Sequence, residues 1–218
     1  MKQDWLKDFK LSKLLSAEEQ ILLYQSVHYK KLSPGEYVFQ DGQACHHVVL
    51  VKNGCIRVQK LSADGHMLTL GRLGKFRCCE LSVSSAISGK PYPAEAIAEK
   101  DSSLILIPSN TVKQLMFSSE QWQSFLFHEI GRHLNELILL AEDVAFLPIE
   151  RRLARRLIDG ADKEMKLKET HSDIAADLGS AREVVSRTLK RFENSGYLCL
   201  HRGWIEIKNP SALNNIFH

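Results

Sequence analysis

From Phe127 to Val144, apolar residues return at alternating steps of three and four: Phe127, Ile130, Leu134, Leu137, Ala141 and Val144. Side chains with that mean period of 3.5 keep to one face of a helix, and such a stripe is the seam along which two helices meet. Ser118-Ser119-Glu120-Gln121 fits a capping box at the start, and the pattern holds to about Phe146. At ~1.5 Å per residue the helix runs about 40 Å. Leu126, Ile138 and Leu140 lie beside the seam. One flank is therefore expected to pack on the chain's own core while the seam meets a second copy. Pro148 ends the run, because the residue before a proline avoids helical geometry, and it marks a hinge.

The sequence before this helix follows another period. Residues 1 to about 30 read as helix, with Ser16-Ala17-Glu18-Glu19 as a capping box. From Lys31 to Pro108 short strand-like runs appear, among them Tyr37–Phe39, Val48–Val51, Ile56–Val58, Met67–Leu70, Ala94–Ala98 and Leu104–Ile107. Asp41-Gly42, Asn53-Gly54 and Asp64-Gly65 separate them, and such dipeptides favour tight hairpins. Many short strands at near-regular spacing predict a jelly-roll-like β-roll.

Composition narrows the class. With 218 residues, 44% hydrophobic and 25% charged, the chain is an ordinary globular protein. No apolar run approaches the ~18 residues of a membrane span. The first residues lack an apolar signal core, so the expectation is a cytoplasmic protein with no membrane partner. The five cysteines, Cys45, Cys55, Cys78, Cys79 and Cys199, are odd in number and two are adjacent, which argues against a secreted disulfide framework. From Pro148 onward there are 13 Lys+Arg against 10 Asp+Glu, whereas the residues before it carry 16 of each. The basic excess lies wholly at the C-terminal end, as in a nucleic-acid-binding domain joined to a neutral one.

That end carries the most informative motif. Ile149–Ile158 is an amphipathic helix with Arg151, Arg152, Arg155 and Arg156 on its polar side. Thr170 to Phe192 then reads as helix, turn, helix. Thr170 caps the first helix, Ala175 is small where the helices cross, Gly179 supplies a left-handed turn, and Ser180 caps the second helix. Ile174, Leu178, Val184, Val185, Leu189 and Phe192 form the inner face. Arg182, Glu183, Ser186, Arg187 and Lys190 fall on one outward stripe. Arginine suits guanine O6/N7, glutamate suits cytosine N4, and the lysine suits phosphate. Glu183 also stands three residues after Ser180, where it would complete a capping box. Thr170 and His171, at the start of the first helix, join the candidate DNA-binding set. Tyr197–Leu200 and Trp204–Ile207 flank His201-Arg202-Gly203 and read as a β-hairpin wing, with Arg202 at its tip.

The order of parts resembles the CRP/FNR superfamily of bacterial transcription regulators, over nearly the whole chain. The carriers are Leu32–Gly42 (LSPGEYVFQDG), Val51–Val58 (VKNGCIRV), Ala145-Phe146-Leu147, and Arg182–Arg187 (REVVSR). The resemblance implies an α+β chain in three parts. These are a cyclic-nucleotide-binding-like β-roll over residues 1–117, a dimerisation helix over 118–147, and a winged helix-turn-helix over 148–218. Glu183, Ser186 and Arg187 match the Glu-x-x-Ser-Arg pattern of the FNR branch. The resemblance thus implies a homodimer on double-stranded DNA, reading a palindrome with TTGA-like half-sites about one helical turn (~34 Å) apart. RNA polymerase and a small-molecule effector are implied as partners.

The effector positions depart from the family pattern. The family's Gly-Glu-Leu reads Cys79-Glu80-Leu81 here, and its Arg-Ser reads Tyr92-Pro93. A nucleotide phosphate would find no arginine at that position, and burying it unpaired costs several kcal/mol. The purine-contacting hydroxyls would fall at Leu137 and Ile138, which have none. Cys79, Glu80, Leu81, Tyr92, Leu137 and Ile138 therefore outline an effector pocket that cyclic AMP does not fit. No closely spaced cysteines precede Cys45 for an iron–sulfur cluster. Cys78-Cys79 beside Lys75 and Arg77 gives an alternative, a redox-sensing regulator, although buried inert thiols are the plainer reading. Cys45-His46-His47 with Cys55 fits no standard metal spacing, and strand alternation sends the two histidines to opposite faces. No metal or cofactor is expected. Cupin-type catalysis would need a His-x-His pair that the chain lacks, so the expectation is a regulator and not an enzyme.

Overall fold

The computed structural model describes residues 5–65 and 67–217. Residues 1–4, part of the first expected helix, lie outside the described residues. The chain forms two compact units, Met1–Lys60 with Leu70–Leu137, and Leu61–Thr69 with Ile138–His218.

The first unit opens with α1 (Trp5–Asp8) and α2 (Ala17–Ser26), followed by β1 (His28–Leu32) and β2 (Tyr37–Phe39). The single helix expected over residues 1–30 is therefore corrected. Lys10 adopts a positive φ of 60°, which stops the first turn, and Ser16 starts the second helix with a full capping box to Glu19. His28–Leu32 is captured by backbone pairing with a later strand, which outweighs local helical pattern. Next come β3 (His47–Asn53), β4 (Ile56–Leu61), β5 (Met67–Leu73), β6 (Arg77–Cys78), α3 (Glu80–Ser88), β7 (Glu95–Ala98) and β8 (Ser102–Pro108). Two four-stranded sheets result, ordered β1-β8-β3-β6 and β2-β7-β4-β5. β3 and β8 pair antiparallel, with Leu50 opposite Ile105, which brings buried faces of both strands into one layer.

Two helices then meet at Ser119: α4 (Ser109–Ser118) and α5 (Glu120–Phe146). The Ser119 amide closes α4 by donating to Leu115, and its hydroxyl accepts from the Trp122 amide at 3.2 Å to open α5. The start is thus capped by Ser119, not by the Ser118 box expected from sequence. Trp122 and Leu126 bury the first half of α5 against Trp5, Leu50, Ile105 and Leu115.

The second unit holds α6 (Ile149–Gly160), β9 (Lys166–Leu167), α7 (His171–Asp177), α8 (Arg182–Asn194), β10 (Leu198–His201), β11 (Trp204–Ile207) and α9 (Pro210–Phe217). The strands form a sheet ordered β10-β11-β9, and α9 packs on α6. Leu153, Leu157, Ile174, Val185, Leu189, Phe192 and Ile205 are its core. Burial of each large side chain contributes about 1.5–3 kcal/mol. The tip of the β4–β5 hairpin also belongs to this unit.

Candidate nucleic-acid interface

Helix α7 begins where Thr170 Oγ1 accepts from the Asp173 amide at 3.1 Å and Asp173 reaches back to the Thr170 amide at 3.3 Å. The turn that follows needs Gly179, whose φ is +56°. A Cβ there would stand 3.1 Å from Leu68 Cδ1 and 3.4 Å from Val144 Cγ2. Helix α8 then starts from Ala181, which gives no side-chain cap. Ser180 is therefore not the cap, and the box with Glu183 does not form, because the helix begins one residue later than the sequence pattern suggested. The carboxylate of Glu183 is left on the outside.

The inner face needs one correction. Val185, Leu189 and Phe192 are buried, but Val184 is only half-buried. Thr188 takes the inner place, its hydroxyl donating to the Val184 carbonyl at 2.9 Å. An internal hydrogen bond lets this polar residue occupy a core position, a signal that apolar periodicity does not register.

Arg182, Glu183, Arg187 and Lys190 are exposed along α8, and Ser186 is half-buried between them. Among the described residues no ion pair engages Arg182, Glu183 or Arg187. Lys190 reaches Glu193 at 2.6 Å. Ser186 Oγ lies 2.9 Å from His171 Nδ1, so α7 fixes a hydroxyl of α8. Burial, and then the charge of Arg182, hold the His171 pKa below its ordinary value, which favours the neutral ring. Arg202 is exposed at the β10–β11 turn, where Gly203 has φ +87°. Beside it His201 and Trp204 stack with centroids 3.8 Å apart.

The scaffold under this face is ionic. Arg156 holds Glu169 at 2.6 Å and Asp177 at 2.9 Å, and Arg152 donates to the Leu178 carbonyl. Two of the arginines expected on the solvent side of α6 are thus internal ties that set the angle of α7.

On α5, Phe127 is 61% exposed and Leu134 56%, while Ala141 and Val144 are also exposed. Leu137 is half-buried, and Ile130 packs against the chain's own core.

The positions expected for an effector are largely occupied by the protein itself. Cys79 and Tyr92 are buried in the β-roll core, and Tyr92 stacks on Phe39 at 3.8 Å and donates to the His47 carbonyl at 3.1 Å. Glu80 is buried and accepts from Arg132 Nη2 at 2.5 Å. Arg132 also binds Glu129 at 2.6 Å and Glu136 at 3.0 Å. Burial pushes the Glu80 carboxyl up to about 7, against the pull of Arg77. Leu81 is half-buried beside the same core, Leu137 is half-buried, and Ile138 is exposed on α5. Arg132 was missed from sequence because its role depends on a partner 52 residues away. Cys78 and Cys79 are each 1% exposed. Burial drives the Cys78 thiol well above its usual range and the Cys79 thiol to about 12, despite the nearby Lys75 and Arg77. Buried, protonated thiols are poor redox sensors. No group of three or more candidate metal ligands occurs among the described residues, and none of their helices is long and apolar enough to cross a membrane.

Comparison with known proteins bears on both units. Residues 29–119 match the cyclic nucleotide-binding domain family, and residues 151–216 match the Crp-like helix-turn-helix domain family. The chain is 26% identical over 196 residues to the fumarate and nitrate reduction regulatory protein of Salmonella typhi, covering 84% of this chain and 76% of the relative. It is 24% identical to the cyclic AMP receptor protein of Thermus thermophilus over 205 residues, covering 92% and 93%. A crystal structure of a CRP/FNR-family transcriptional regulator from Eubacterium rectale superposes with a TM-score of 0.88 at 28% identity, covering 97% of this chain and 99% of that one. With its β-roll, long helix and winged helix-turn-helix, the chain belongs to the CRP/FNR superfamily of transcription regulators.

Proposed function

We propose that this regulator acts as a cytoplasmic homodimer on a palindromic DNA site with TTGA-like half-sites, and answers to an effector other than cyclic AMP. The observation that carries the reading is the open stripe on α8, with Arg182, Glu183 and Arg187 exposed and unpaired among the described residues. Charged groups presented without intramolecular partners are ready to read base edges. Arg187 and Arg182 would contact guanine, Glu183 cytosine, and Ser186, set by His171, a neighbouring base. Lys190, Arg202 and the exposed Thr170 would hold phosphates and fix the register.

Phe127, Ile130, Leu134, Leu137, Ala141 and Val144 of α5 would form the dimer seam, with Phe127 and Leu134 supplying most of the apolar area. Residues 1–117, 118–147 and 148–218 then serve as sensor, dimerisation helix and DNA-binding domain. Buried Cys79 and Tyr92, with Glu80 committed to Arg132, leave a cyclic nucleotide phosphate without an arginine at the family's position. RNA polymerase is the expected protein partner of a bound dimer.

Affinity for a TTGA-type palindrome and for a shuffled duplex, followed from low to high salt, tests the reading. Both should weaken with salt as phosphate contacts release counterions, with the palindrome retaining a large advantage. Equal affinity for the two duplexes would contradict it.

A further inference from the structure

Two cavities of the first unit adjoin, sharing Asp8 and Phe76 in their walls. The larger, about 880 Å³, is a groove whose apolar walls come from Phe9, Leu14, Phe76 and Phe125. The smaller, about 540 Å³, is ringed by Lys30, Lys31, Lys52 and Lys75. None of these four lysines has a carboxylate within ion-pair distance among the described residues. Asp8, at the divide, is the one carboxylate in the lysine cleft.

Protection of a sheet edge explains Lys30 and Lys31, which lie on the edge strand β1. It does not explain the other two. Lys52 is on β3, inside the sheet, and Lys75 is on the β5–β6 connection. Aromatic rings steady both ammonium groups, Tyr29 at 6.0 Å from Lys52 Nζ and Phe76 at 4.5 Å from Lys75 Nζ. Phe76, between the cavities, has φ 64° and is 37% exposed, and Lys10, on the groove wall, has φ 60°. Positive φ at non-glycine residues costs free energy, and such positions gather at ligand sites. None of Cys79, Glu80, Leu81 or Tyr92 lines either cavity.

We propose that the two cavities form one binding site for a small amphipathic anion, its apolar body in the phenylalanine groove and its carboxylate or phosphate head among Lys31, Lys52 and Lys75. Each cavity taken by itself, about 880 Å³ and about 540 Å³, falls in the roughly 300–1,000 Å³ range of small-molecule sites. Such a head group occurs on free molecules and on membrane lipids, and the site takes the free molecule, because the groove is a concavity and not a projecting apolar surface.

Calorimetry on the full chain, without DNA, tests this independently of the regulator reading. The probes are decyl phosphate below its micelle concentration, inorganic phosphate, decanol, and phosphatidylglycerol vesicles. Decyl phosphate should bind one per chain, at least tenfold more tightly than inorganic phosphate or decanol. Lys52→Glu with Lys75→Glu should weaken it at least tenfold, and Leu14→Ser should weaken it severalfold. Circular dichroism would verify that the variants fold. Decyl phosphate binding no tighter than phosphate or decanol, undiminished binding by the lysine variant, or binding to vesicles alone would each overturn the proposal.

Discussion

His171 Nδ1 stands 2.9 Å from Ser186 Oγ, joining the first helix of the helix-turn-helix to the outward face of the second. The contact couples the angle between α7 and α8 to the position of a hydroxyl that we propose faces DNA. His171→Ala removes it, and the C-terminal unit should lose about 1 kcal/mol of stability by urea unfolding. Affinity for the palindrome should fall further than affinity for shuffled DNA, because a specific contact is disordered.

The same histidine sets a pH dependence. Its folded pKa lies below the unfolded value, since burial and Arg182 disfavour the charged ring. Its contribution is complete above the ordinary imidazole range and is lost as pH falls through that range toward the folded pKa. Urea midpoints of the wild type should therefore drop on acidification from pH 7 to 5.5 by more than those of His171→Ala.

At Gly179 any side chain is strained. Its φ of +56° and the 3.1 Å approach to Leu68 Cδ1 act together. Gly179→Ala should cost roughly 1–2 kcal/mol from left-handed geometry alone, and more if Leu68 does not yield. Gly179→Asn, which suits the backbone better, should cost less on that account, as thermal unfolding would read.

Arg156 joins Glu169 and Asp177 with a side chain that is 19% exposed. Arg156→Met leaves two carboxylates without this guanidinium and should destabilise the C-terminal unit by about 3 kcal/mol, as for other broken buried pairs. Restoring a cation with Lys should recover only part, because lysine lacks the planar fork.

Leu134 is exposed on α5 at the centre of the expected seam. Leu134→Glu places a charge there and should convert a dimer to monomer in sedimentation, with little change in the stability of the monomer, since the residue is not in its core. A monomeric wild type would remove the seam from the account.

Much of this architecture was legible in the sequence because it is written in local period. The 3.5-residue spacing from Phe127 and the break at Pro148 gave α5 its end at Phe146, and Thr170 and Gly179 marked the limits of α7 and its turn. What could not be read locally depends on distant partners. His28–Leu32 is a strand because β8 lies beside it, Arg132 matters because Glu80 is buried next to it, and the Cys79 thiol is held protonated because the fold encloses it. Thr188 entered the core through a hydrogen bond to its own helix, which hydropathy alone assigns to the surface.

Base readout by α8 is the central claim, and Arg187 tests it most directly. Wild-type and Arg187→Ala proteins would be titrated by fluorescence anisotropy against a TTGA-type palindrome and against duplexes with each half-site base pair changed symmetrically. The account predicts that Arg187→Ala loses roughly 1–3 kcal/mol of discrimination at one base pair, with the other positions still read. An unchanged discrimination profile at every position would contradict it.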